Sequence, residues 1–208
     1  MQTPFALPPG QPTNGRLAVT LVLEPGADGA WQGSGEVSAA GLLSFGSLSA
    51  AGSSALADQV AAMTGSVLPG VASSECGVRA LSATAIRAEF ALALPAPDPE
   101  DPVVRWTFGA PAGGVLDALP ADVGLTDATR EAPVLATASL TQTVVAKVKL
   151  GDLRAAHVPA DTELSNTAGS FKVATEVRDG WLHYHRELRL NGGPHLGAQW
   201  PQLRALLL

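Results

Sequence analysis

The chain has 208 residues, enough for one large domain or two small ones with a buried core. It is 46% hydrophobic but only 5% aromatic, with 22 glycines and 16 prolines, so Val, Leu and Ala must build the core between many turns. The net charge of −6 has no basic stripe within it, which excludes a nucleic-acid-binding surface; one cysteine excludes an internal disulfide and any multi-thiolate zinc site.

Residues 1–15 are rich in Pro and Gly and are expected to form an extended leader. They lack the basic start and long apolar stretch of a signal peptide. No apolar run approaches the ~18 residues of a membrane span, so no transmembrane segment is expected, although a parent protein exported to the cell envelope is compatible with this chain. Residues 17–23 alternate as a strand that ends at Glu24-Pro25-Gly26, and the Gly-rich residues 31–38 form its hairpin partner. Gly33-Ser34-Gly35 has two glycines of a dinucleotide loop but lacks the third and the strand–turn–helix setting, so a strand is expected there. In residues 53–66, Leu56, Val60 and Met63 fall at helical spacing, and Gly65 and then Pro69-Gly70 are expected to end the segment. Residues 78–81 and 84–94 are strands. In the second, Ile86, Ala88, Phe90, Leu92 and Leu94 share one face, and Arg87 and Glu89 lie on the other.

Four prolines and three acids between positions 95 and 102 can hold neither strand nor helix, which marks a domain boundary. The charge divides there as well. Residues 1–101 hold three basic and nine acidic side chains, while residues 102–208 hold ten of each. Asp98, Glu100 and Asp101 do not follow the spacing of a calcium-binding loop and are read as a solvated linker.

Residues 103–108 are expected to be a short strand, residues 109–133 a turn-rich stretch over the surface, and residues 134–150 two strands or one bent strand. Residues 151–170 connect to a hairpin over 171–190. Asp179-Gly180 favours a type I′ turn, because both central residues need positive φ. That turn pairs Arg178 with Trp181 and sets the register. One face then carries Val177/Leu182, Thr175/Tyr184, Val173/Arg186 and Phe171/Leu188 and should face the core. The other carries Glu176/His183, Ala174/His185 and Lys172/Glu187, with charged or hydrogen-bonding partners at facing positions. Asn191-Gly192-Gly193-Pro194 stops the strand. A helix over 201–208 follows, with Pro201 in its first turn and Leu203, Leu206 and Leu207 on one side. The fold class is therefore mainly β. It has two β-sandwich-like lobes, residues 16–101 with the helix near 53–66 and residues 102–208 with the hairpin and a short C-terminal helix packed on the second lobe.

Several stretches, in order, resemble the region that follows the catalytic domain in large bacterial transglutaminase-like proteins, which have a papain-like core and end in β-sandwich modules. Leu17-Ala18-Val19-Thr20-Leu21, the Gly29-Ala30-Trp31 turn and Leu68-Pro69-Gly70 resemble the first post-catalytic module. Arg130-Glu131-Ala132-Pro133-Val134-Leu135 resembles the opening of the last one. Lys147-Val148-Lys149-Leu150, Val158-Pro159-Ala160, residues 166–171, Gly180-Trp181-Leu182, Arg186-Glu187-Leu188 and Trp200-Pro201 with Leu203-Arg204 resemble the rest of it. The family's catalytic cysteine, histidine and aspartate belong to a domain with no counterpart here. The resemblance therefore implies no enzyme but a non-catalytic structural or interaction module, with a transglutaminase-like catalytic domain or another protein as its partner.

The residues themselves offer few sites. Cys76 follows Glu75, a neighbour that raises a thiol's pKa, so an incidental thiol is expected rather than a nucleophile. A small cysteine hydrolase would need Cys76 beside His157, His183, His185 or His195, and no Gly-x-Ser-x-Gly elbow supplies a serine instead. His183 and His185, two apart on one strand face with Glu187 beyond, are the candidate metal ligands. The polar outer face of the hairpin also accounts for them, and no metal or cofactor is expected. Trp31, Trp106 and Trp181 each lie near a turn or chain break and form the candidate contact surface, as in a carbohydrate- or cell-envelope-binding β-sandwich.

Overall fold

The computed structural model describes residues 14–43, 53–82, 85–98, 100, 103–119, 123 and 125–208. All but the last two residues of the expected leader, and Asp101 of the acidic linker, lie outside them. The chain is mainly β, with a large sheet, one long helix and a short C-terminal helix.

Strand β1 (Gly15–Pro25) turns back into β2 (Trp31–Ala40), and a 3-10 turn (Gly41–Leu43) follows. In β1, Leu17, Val19, Leu21 and Leu23 are all buried, as the alternation requires. In β2 a Cβ at Gly35 would run into the Phe90 ring, so the glycine lets the aromatic lie flat on the strand. The Gly33-Ser34-Gly35 run is thus mid-strand, paired on both sides.

Helix α1 (Ser53–Val67) buries Leu56, Val60, Met63 and Val67. It runs through Gly65 and ends at Pro69-Gly70, where Gly70 has φ 87°. Strands β3 (Ala72–Ser82) and β4 (Ala85–Leu94) follow. The expected inward set of β4, from Ile86 to Leu94, is buried.

Residues 103–108 lie outside any strand, although their burial alternates as a strand's would. Val104, Trp106 and Phe108 turn inward. Trp106 meets Trp31 edge-on, with centroids 5.5 Å apart, and Phe108 stacks on Tyr184 at 4.4 Å. The segment does not add a strand but crosses the inner face of the sheet. Residues 109–115 also tuck inward, while Leu116, Asp117 and Ala118 stay exposed. Gly109 N–H donates to Val67 O (2.9 Å), Ala112 N–H to Ser66 Oγ (2.8 Å) and Val115 N–H to Gln142 Oε1 (2.9 Å).

The second half contributes β5 (Val134–Ala136), β6 (Leu140–Lys149), β7 (Thr162–Asn166), β8 (Gly169–Arg178), β9 (Trp181–Leu190), β10 (Gly193–His195) and α2 (Trp200–Leu207). Residues 134–150 are thus two strands. In the hairpin, Asp179 and Gly180 have φ 54° and 76°, the signs a type I′ turn needs, and every pair from Arg178↔Trp181 to Phe171↔Leu188 has the expected register. The ion pairs differ from the facing pairs. Lys172 Nζ reaches Glu163 on β7 (3.9 Å), and Glu187 takes Arg189 (2.8 Å).

Eight strands form one sheet in the order β3-β4-β2-β1-β6-β9-β8-β7, and β5 and β10 make a separate ribbon. Each half of the chain supplies four neighbouring antiparallel strands. The halves meet at β1 and β6, the parallel pair, from Gly15↔Leu140 to Leu23↔Val148. One hydrophobic cluster includes residues of both halves. In α2, Trp200, Leu203, Leu206 and Leu207 are buried, as the leucine spacing predicted. No helix among the described residues is long and apolar enough to cross a membrane.

Candidate functional site

The three candidate tryptophans gather at one end of the sheet. The registers Pro25↔Trp31, Trp31↔Leu94 and Lys149↔Trp181 bring the ends of β1, β2, β4, β6 and β9 together. Lys149 links them. Its carbonyl accepts from Trp31 Nε1 (3.0 Å), its Nζ lies 5.7 Å from the Trp181 ring centroid, and the same Nζ reaches Glu24 Oε2 (3.1 Å). Trp31 is only 4% exposed, so it offers no ring face to a ligand and acts as a tie between β2 and β6. Trp106 and Trp181 are half-buried, and Lys149 lies against Trp181. Trp106 Nε1 is buried with no hydrogen-bond partner among the described residues.

His183 and His185 occupy the outer face of β9. His183 stands between Lys147 and Glu176, and His185 between Val145 and Ala174. The Lys147 ammonium beside His183 opposes a bound cation. Among the described residues no group of three or more His, Cys, Asp or Glu is placed to hold a metal ion. His195 lies elsewhere, buried in β10 with Nε2 2.9 Å from Asn191 O, and His157 is exposed in the loop before β7.

Cys76 sits in the irregular stretch of β3 between Ser74 and Gly77, where Glu75 has φ 52°. Burial pushes its thiol pKa up, which keeps the sulfur protonated and a poor nucleophile at neutral pH. Five inter-strand steps of about 4.8 Å each separate β3 from the strand of His183 and His185. The structure therefore sets Cys76 apart from His183 and His185.

Two inward polar groups carry more information than these candidates. Gln142 is 1% exposed near the start of β6 and accepts from the Val115 amide. Arg186 lies on the inner face of β9 between Tyr184 and Leu188, with its guanidinium 5.1 Å from the Phe171 ring centroid. Burial lowers its pKa, and that of Tyr184 is raised by burial with Arg186 opposing the rise. Arg186 Nη1 is buried with no hydrogen-bond partner among the described residues. The signal was present in the hairpin register, which sets one charged residue among the residues of an apolar face.

Compared with known proteins, the chain matches no family model, no curated protein and no solved structure.

Proposed function

We propose that the chain is a non-catalytic structural or interaction module that accompanies a transglutaminase-like catalytic domain. One observation carries the reading: the segments that resemble the post-catalytic region do folding work. Arg130 lies over the Trp200 ring at 5.8 Å, and Trp200 Nε1 donates to Asp127 O (2.8 Å). Arg204 Nε donates to Leu125 O (2.7 Å), and Leu203 is fully buried. Gly180 completes the hairpin turn, Trp181 and Leu182 open β9, and Lys147 to Leu150 closes β6 on the tryptophan corner. Residues used in this way support the reading of a scaffold, which would act by holding or presenting a neighbour.

The test joins the chain to a transglutaminase-like catalytic domain. The expected result is a higher melting temperature for the catalytic domain in the joined protein, and no ester or amide hydrolysis by the chain alone. Hydrolysis by the chain alone that Cys76→Ala abolishes would overturn the reading, as would a catalytic domain indifferent to the chain in both stability and turnover.

A further inference from the structure

Arg186 occupies a position that an apolar residue would fill at lower cost. The inner face of β9 consists of Leu182, Tyr184, Arg186, Leu188 and Leu190, and all but Arg186 are buried. Its lateral neighbours are Val144 on β6 and Val173 on β8. A guanidinium has five N–H donors and no acceptor. Here it rests over Phe171, while Nη1 is shut away from solvent without a hydrogen bond among the described residues. A buried charged donor left in this state works against folding, and an apolar side chain of similar volume avoids the penalty. The apolar residues beside it pack against the core but are not fully covered. Phe171 and Val173 are half-buried, as is Leu164 across from Phe171 on β7, and Val177 is exposed. A cation at the head of a partly open apolar strip matches an amphiphile with a negative head. The planar fork of the guanidinium fits the two oxygens of a carboxylate.

We propose that the inner face of β8 and β9 binds a carboxylate carried on an apolar tail, with the carboxylate oxygens on the Arg186 guanidinium and the tail along Phe171, Val173 and Leu164. The site is separate from the docking role proposed above and does not depend on it.

Calorimetric titration of the whole chain with octanoate, octanol and acetate separates the head from the tail. Octanoate is expected to bind about tenfold more tightly than octanol, and acetate far more weakly than either. Arg186→Met should remove the preference for octanoate over octanol and melt no lower than the parent chain. Arg186→Lys keeps the charge without the fork and should weaken the preference. It serves as the deciding variant if Arg186→Met does not fold. A short apolar peptide, with a free and with an amidated C-terminus, identifies the source of the carboxylate. Preference for the free peptide over octanoate assigns it to a chain end, and the reverse to a free alkyl acid. Equal binding of octanoate and octanol by the parent chain would overturn the proposal, as would an octanoate preference that survives in Arg186→Met or, if that variant does not fold, is undiminished in Arg186→Lys.

Discussion

The polar residues turned inward show most clearly what single side chains contribute. Gln142 is more polar than its surroundings demand, yet its Oε1 is the acceptor for the buried Val115 amide. Gln142→Leu should therefore destabilise the protein by about 1–3 kcal/mol in urea unfolding, although leucine is the more apolar residue, because the amide loses its acceptor. No gain in apolar burial repairs an orphaned donor. Cys76 gives a second expectation. Its thiol pKa is raised by burial, so the folded state holds the proton more tightly than the unfolded chain. The stabilisation this gives is fully present below the ordinary thiol range and is lost as pH rises through the raised value. Alkylation by iodoacetamide at pH 7–8 should be slower than for a free cysteine, and should catch up only in more alkaline buffer. A rate at neutral pH equal to that of the free amino acid would contradict the burial. Gln142 was not legible in the sequence, because Thr141 and Thr143 flank it and three polar residues in a row give no inward or outward signal. Arg186 was legible as a charge on an apolar face, but the consequence needed the finding that Nη1 is buried with no hydrogen-bond partner among the described residues.

Elements were legible where local chemistry and alternation agreed. The Asp179-Gly180 turn set every pair of the β8–β9 hairpin, because positive φ at both positions permits one short turn and hence one register. Gly180→Ala meets no heavy atom within 4 Å, so its effect isolates the backbone cost of a Cβ at φ 76°. It should lower stability by about 1–2 kcal/mol and leave the cross-strand amide contacts in place, as NMR would report. A change of register would show that side-chain pairing alone does not hold the hairpin. Where pattern and pairing part company, the sequence misleads. Residues 103–108 alternate like a strand, but the alternation fits Trp106 to Trp31 and Phe108 to Tyr184 across the sheet. The reverse holds for β7, where Thr162–Asn166 pairs with β8 at the sheet edge and has little apolar content to announce it. β5 and β10 are three residues each and exist only because the chain brings them together. The candidate site was the least legible part, since a tryptophan near a turn reads the same whether it is exposed or, like Trp31, donates to a carbonyl 118 positions away.

At the scale of the whole molecule, the Pro- and acid-rich stretch before residue 103 and the contrast in charge both suggested two bodies. Sequence cannot show that the first strand of one half lies parallel to the first long strand of the other. The β1–β6 ladder runs over nine residue pairs, and its inward side chains, Leu17 to Leu23 on β1 and Gln142 to Val148 on β6, belong to one interior. A joint of that length, tied at one end by Trp31 to Lys149 O, should make the halves unfold together. Hydrogen exchange under increasing denaturant should then give the same opening free energy for amides in β4 and in β9. Leu21→Ala, at a fully buried position on β1 opposite Ala146, should cost about 2–5 kcal/mol and lower both sets of amides equally. Two separate lobes would respond differently. Only the amides of β1 to β4 would lose protection, and those of β8 and β9 would keep the value of the parent chain. The equal response is expected because a parallel ladder buried on its inner face cannot open on one side without exposing apolar residues on the other.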